Sequence, residues 1–358
     1  MNETLKKLIR QRLAVLGLGA VAVVLLSLGC LVWPETVARA YLPAALFWLG
    51  VPLGAMALWM VHGLSGGRWG EVLRPALTAA TATLPLMLLL FVPLLFVLPA
   101  LFEWTGPSES LTEVVQNKLD YLNIPFFTAR AAVSGGLWLL LALGLLMAGR
   151  WRAPLSAFGL MLHVLLVSFF AFDWIMSLEP QWYSSTFGLL VGIGQAVAGL
   201  SVVVAVTASA TRVEAARLNE LGNLLLATVL LWIYLAFMQY LIIWSANLPH
   251  GISWYVHRNH GVWGWIAVLV VAGHFAAPFG VLLFRAAKQA PRSLTAVALG
   301  LALAHQLYLC WQVLPAWEKT GALTYWLAPL AILGVGCLWL GAFAVALARQ
   351  PVAEVAHG

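Results

Sequence analysis

Residues 155–178, LSAFGLMLHVLLVSFFAFDWIMSL, hold two ionisable side chains, His163 and Asp173, in twenty-four positions. Apolar residues fall on every side of the helical wheel, so no face is left for water. At about 1.5 Å per residue, such a helix exceeds the ~30 Å of a bilayer's hydrocarbon. Nine further stretches read the same way, giving ten spans near 13–33, 41–62, 77–100, 128–149, 155–178, 184–208, 221–245, 262–284, 294–314 and 323–348. The thirteen acidic and nineteen basic side chains lie almost wholly in the gaps. With 63% hydrophobic and 9% charged residues in a chain of 358, no aqueous fold could enclose the apolar surface. Backbone groups in lipid must bond within their own segment, so these spans are helices; a closed barrel would alternate instead. The expected fold is all-α, a single polytopic membrane domain of ten transmembrane helices.

Lys6, Lys7, Arg10 and Arg12 precede the first apolar run as in a signal peptide. That run is long, however, and Cys30-Leu-Val-Trp-Pro34 presents no small-residue cleavage site, so it reads as a retained first span. Placing this end inside puts fourteen of the nineteen Lys and Arg on the inner side, with only Arg39, Lys118, Arg130, Arg258 and Lys319 outside. Short loops follow that bias in membrane proteins, and both termini are expected in the cytoplasm. The net charge of +6 reflects this bias and does not point to nucleic acid. Cys30, Cys310 and Cys337 lie in apolar spans without CxxC pairing, as packing residues do.

The longest outer loops, about 101–127 and 246–261, are where an outer-face partner would dock. In the first, Ser110 and Glu113 fit a capping box, and Leu111, Val114, Val115, Leu119 and Leu122 recur at helical spacing, predicting a short amphipathic surface helix. Trp33, Trp104, Trp182, Trp244, Trp254, Trp263 and Trp317 fall near span ends, as an aromatic belt would.

Polar groups at membrane depth are expensive and mark function by default. Asp173, near the outer end of span five, stands out as a lone acid. His163 lies ten residues earlier, about 15 Å deeper and roughly 80° round the helix, so a relay between the two needs water or another helix. His274 and His305 fall near the midplane of spans eight and nine. His305, Tyr308 and Gln312 form one stripe climbing outward, with Gln195, Tyr234 and Gln239 on neighbouring spans. For each of these, a hydrogen-bonded packing role is the plainer alternative. Axial haem ligation would call for paired histidines, whereas each span carries at most one internal His. His257 and His260, with His250 nearby, make an isolated HxxH that is weak as a zinc site and reads as interfacial.

The segment Asp173-Trp-Ile-Met-Ser177-Leu-Glu-Pro180-Gln-Trp182-Tyr183-Ser184-Ser-Thr-Phe187 closes span five and opens span six. It resembles the D-x-x-x-S-x-x-P-x-W-x-S-T-[IF] signature of polysulfide-reductase-like (NrfD-like) membrane subunits. Residues 118–127 with Arg130, residues 236–249 and residues 254–258 carry the likeness further. More narrowly, the chain is similar to the smaller NrfD-like subunit type (ActF type) of alternative complex III. The resemblance implies two four-helix bundles, spans two to five (about 41–178) and six to nine (about 184–314), with the first and last helices peripheral. It also implies a bacterial cytoplasmic membrane and partners comprising a larger NrfD-like subunit, an outer-face iron–sulfur protein and multihaem and monohaem cytochromes c. Iron–sulfur clusters and haem c would then sit in those partners, with no redox cofactor in this chain. Val167 and Tyr183 stand where quinol-oxidising members carry His, which counts against quinol oxidation by this subunit.

The leading reading is a non-catalytic membrane subunit of a quinol:cytochrome c, or other quinol:acceptor, oxidoreductase. It would be a scaffold with a candidate proton half-path through Asp173 and His163, then His274, His305 and Gln312. A second reading has the chain bind quinol itself, through Asp173, Tyr183 and Gln239. A third, a secondary transporter, expects inverted repeats and paired broken helices.

Overall fold

The computed structural model describes residues 3–210, 213–317 and 321–350, with side chains for all of these except 3–13, 150, 210 and 250. Lys6, Lys7, Arg10, Arg12, His250 and Lys319, named above, therefore lie outside the described side chains. No strand forms among the described residues. Among the described residues, ten helices are long and apolar enough to cross a membrane: Ala14–Val32, Pro34–Ser65, Arg68–Phe96, Ile124–Met147, Arg152–Leu178, Phe187–Ser209, Ala215–Ala246, Gly261–Leu282, Pro291–Ala316 and Ala322–Ala348, spans one to ten. The protein is an all-α, multi-pass membrane protein.

Several spans overrun the stretches expected from hydropathy. Span two begins at Pro34 rather than near 41, because a helix extends past the hydrocarbon into polar residues such as Glu35 and Arg39, which pair at i,i+4 (3.0 Å). Its internal Pro43 and Pro52 do not end it. Span three is interrupted: helix Arg68–Thr81, a turn at 82–83, helix Leu84–Phe91 and a 3₁₀ stretch Val92–Phe96. Pro85 and Pro93 lack the N–H that would continue the ladder, and hydroxyls near the break bond to the backbone and to a neighbouring span. Thr81 Oγ1 donates to the Leu77 carbonyl (2.9 Å) and Thr83 Oγ1 to the Ala80 carbonyl (2.6 Å), while Trp339 Nε1 donates to Thr83 Oγ1 (2.9 Å).

Spans two, three, four and five pack together, as do spans six, seven, eight and nine; spans one and ten pair with each other and lie against span two. The two groups meet chiefly where span two crosses span six. Glycine permits that crossing: a methyl added at Gly54 would stand 1.9 Å from the Gln195 carbonyl oxygen, and one at Gly199 would stand 2.6 Å from the Ala55 nitrogen. In lipid, where apolar surface is not itself driven together, such close backbone approach is what holds helices in register. Span two is consequently enclosed on nearly every side.

The outer side, so named from the expected orientation, differs from the sequence reading twice. The capping box at Ser110 does not form, and the amphipathic helix shrinks to the single turn Glu113–Gln116. Ser110 Oγ donates back to the Pro107 carbonyl (2.7 Å), and the Gln116 amide donates to the carbonyls of Ser108 (2.7 Å) and Leu111 (3.0 Å). Side chains thus satisfy the local backbone in competition with a longer helix. Conversely, the segment expected as a loop at 246–261 is mostly helix, Pro249–Asn259, entered after Asn247 reverses the chain at φ 48°. Proline is suited to its first position.

Candidate functional site

Asp173 is not the lone acid its sequence surroundings suggest. Arg130, at the outer end of span four, closes on it in a bidentate pair, Nε to Oδ2 at 2.9 Å and Nη2 to Oδ1 at 2.8 Å. Nη1 of the same guanidinium donates to the Tyr121 carbonyl (3.0 Å), and the group lies over the Tyr121 ring at 3.7 Å and the Phe126 ring at 4.3 Å. The fork geometry matches a carboxylate and uses both of its oxygens. Behind it, Ser177 Oγ donates to the Asp173 carbonyl and ties the 3₁₀ turn Met176–Leu178 to the helix end.

Six residues past Asp173, Glu179 makes the corresponding closure to the second bundle. Its Oε1 is 2.6 Å from Nη2 of Arg258, which is 1% exposed, and its Oε2 is 3.2 Å from Nδ1 of His257. Arg258 also donates to the carbonyls of Trp254 (2.9 Å) and Gln312 (2.6 Å), and its guanidinium lies 3.9 Å from the Trp254 ring centre. Burial pushes the Arg258 pKa down, opposed by the Glu179 carboxylate. His257, read from sequence as an interfacial histidine, is thus a partner of an acid.

The other motif residues gather round these two closures. Lys118 Nζ donates to the Pro180 carbonyl and lies over the Tyr183 ring at 5.5 Å; burial lowers its pKa. Trp182 stacks on Trp254 with ring centres 4.9 Å apart. Ser184 Oγ donates to Gln239 Oε1 (3.0 Å), and Gln239 Nε2 approaches the Tyr255 hydroxyl at 3.4 Å. Trp104, Trp182 and Trp254, expected in an interfacial belt, are instead at most 2% exposed, whereas Trp33 and Trp244 do lie on the surface. Distance along a span gives a tryptophan's depth but not whether it points inward.

Deeper in the second bundle, His274 Nε2 and His305 Nδ1 hydrogen-bond at 3.2 Å. His274 sits in a π-helical stretch, Val271–Ala276, just before Pro278, the kind of irregularity that concentrates at functional positions. Its ring centre is 3.9 Å from that of Trp232. One turn outward, Gln312 Nε2 donates to the Tyr308 hydroxyl (2.9 Å). A cavity of about 10 Å³, room for about one water, lies between the bundles against Gln195, His305, Tyr308 and Gln312. Tyr308 and Gln312 thus form one hydrogen-bonded pair and His274 and His305 another, and the Gln312 carbonyl leads on to Arg258 and Glu179.

His163 is buried near Trp138 (ring centres 6.2 Å) and is joined to Asp173 by no hydrogen bond among the described residues. The structure thus brings Asp173 to Arg130, and His274 to His305, but leaves the proposed Asp173–His163 relay apart. Of the quinone candidates, only Gln239 lines a cavity of about 400 Å³ between spans seven, eight and nine and helix 249–259. Tyr183 is 64% exposed and Asp173 belongs to the other bundle.

Sequence reasoning missed Glu179, Arg258 and Tyr255. One signal was present: Arg130 and Arg258 are two of the five cations on the side that the positive-inside bias disfavours, and each has an acid to neutralise it. No protein-family model matches this chain, and no curated protein matches it.

Proposed function

We propose that this chain is an integral membrane subunit of a quinol:cytochrome c, or quinol:acceptor, oxidoreductase of the alternative complex III kind. It works as a scaffold in a bacterial cytoplasmic membrane and carries no redox centre of its own. One observation carries the reading: motif stretches far apart in sequence, 118–130, 173–187, 236–249 and 254–258, converge on one outer-side constellation. Asp173 and Glu179 hold the two ends of a single connecting segment, one to each bundle, so the segment and the surface above it are fixed in place. A rigid outer face of this kind suits the docking of an iron–sulfur protein and cytochrome c subunits, with a larger NrfD-like subunit alongside in the membrane.

Both Asp173 oxygens are committed to Arg130, which favours a structural carboxylate over a proton acceptor for quinol. A proton half-path is better placed in the second bundle, where His274, His305, Tyr308 and Gln312 form the buried polar series. The transporter reading expects broken helices at equivalent places in two halves. The interruptions instead fall in span three, the second member of its bundle, and span eight, the third of the other.

The test is to tag the chain in its native host, solubilise membranes mildly and purify. Haem c, iron–sulfur protein and quinol:acceptor activity should co-purify in fixed ratio. Recovery of the chain without haem c or quinol oxidation would reject the assignment.

A further inference from the structure

On the inner side of the first bundle, span two packs against both span three and span five. Arg152 begins the helix of span five, and its Cζ stands 5.5 Å from the centre of the Trp59 ring on span two. A methyl added at Gly63, one turn from Trp59, would meet Ser156 Oγ at 2.5 Å and Arg152 Cγ at 3.8 Å. Residues four apart share a helix face, so Trp59 and Gly63 on one helix lie against Arg152 and Ser156 on the other. Trp59 and Ser156 are 2% and 0% exposed.

This contact holds donors without acceptors. Trp59 Nε1, Arg152 Nε and Ser156 Oγ are all enclosed and have no hydrogen-bond partner among the described residues. Each can donate, and a buried donor left unmatched is costly. Positive charge is in surplus as well. Arg74, on span three, lies near enough for its charge to act on Arg152. Yet neither guanidinium pairs with a carboxylate among the described residues, unlike Arg130 and Arg258 on the outer side. Glu71, the sole acid of segments 61–75 and 148–157, enters no ion pair among them either. Two like charges held together repel, and an anion between them turns that repulsion into attraction.

We infer that Arg74 and Arg152 bind the phosphate of an anionic phospholipid headgroup, with Trp59 and Ser156 supplying donors beside it. A guanidinium fork matches phosphate oxygens two at a time, and a phosphate has enough oxygens for donors arriving from three helices. Depth selects a lipid over a free anion. Arg152 is the first residue of its span and Ser156 lies four residues further in, about 6 Å by helical rise. Trp151, beside them, is 62% exposed, as amphipathic rings are at headgroup level. The assignment does not rest on membership of an oxidoreductase.

Protein purified from its native membranes is reconstituted into phosphatidylcholine vesicles holding a trace of phosphatidylglycerol with a diazirine next to its headgroup. After irradiation, labelled peptides are mapped by mass spectrometry. Labelling is expected on residues 59–74 and 151–160, displaced by unlabelled phosphatidylglycerol but not by further phosphatidylcholine or by millimolar inorganic phosphate. Arg74 is exposed, so Arg74→Gln should leave the fold intact while weakening that displacement about tenfold, the worth of one charge-assisted hydrogen bond. Arg152→Gln should weaken it at least as much. Arg292→Gln, an exposed inner-side change at the start of span nine, should leave it unaltered. Displacement by inorganic phosphate would make this a free-anion site and overturn the inference. Equal competition by phosphatidylcholine, an equal loss in Arg292→Gln, or full labelling in both Arg74→Gln and Arg152→Gln would overturn it too. The readout is on this chain's own peptides and is independent of whether haem c co-purifies.

Discussion

Replacing Asp173 with asparagine should destabilise the protein rather than merely slow proton transfer. The substitution removes one charge of a pair whose side chains are 11% and 5% exposed and leaves the Arg130 cation in place. Removing one partner of a buried pair costs about 3–5 kcal/mol, because the survivor is left uncompensated. Here the survivor keeps its bond to the Tyr121 carbonyl and its seat over two aromatic rings, and asparagine retains one acceptor oxygen. The loss should therefore sit near the lower bound, about 3 kcal/mol. Asp173→Leu, which keeps no acceptor, should lose more, and Arg130→Met should lose a comparable amount by stranding the carboxylate. The double variant Asp173→Leu/Arg130→Met replaces the pair with apolar packing and should recover at least part of the sum, since neither charge remains unmatched. Reversible denaturant unfolding of the purified protein in detergent, followed across this four-member cycle, measures the coupling. Wild-type stability in Asp173→Asn, or single losses that add without coupling in the double variant, would refute the reasoning and free the carboxylate for a relay role.

Glu103, in the outer-side loop between spans three and four, has its pKa raised above the ordinary 4.5 by burial and then by the nearby Glu179 carboxylate. A raised folded-state value means that the stabilising contribution of the protonated form is complete below pH 4.5 and is lost as pH rises through the folded pKa. Glu103→Gln should thus raise the melting temperature at pH 7, with the gain shrinking toward pH 4; a gain independent of pH contradicts this. Gly54→Ala should destabilise by at least the 1–3 kcal/mol (roughly) of an overpacked core, since its methyl meets backbone at 1.9 Å. Melting of that variant at the wild-type temperature would show that the crossing of spans two and six is looser than described. Alkaline phosphatase fused after residue 110 or 248 should be active and fused after residue 66 or 289 inactive; the reverse pattern would invert the orientation inferred from Lys and Arg.

The number, helical character and approximate position of the spans were legible in the sequence, because hydrocarbon imposes its length and polarity on each segment independently of the others. The candidate acid was legible too, since Asp173 breaks an otherwise apolar run. Its partner was not: Arg130 stands forty-three residues away along the chain, and no local period relates a charge on span four to one on span five. The same holds for Glu179 with Arg258 and for His274 with His305, which only the packing of different helices brings within bonding distance. Whether a tryptophan belongs to the interface or to the core, and whether Ser110 caps a helix or bonds its own turn, are likewise settled by contacts between distant segments. One-dimensional hydropathy records how deep a residue lies; which way it faces, and what meets it there, are properties of the folded bundle alone.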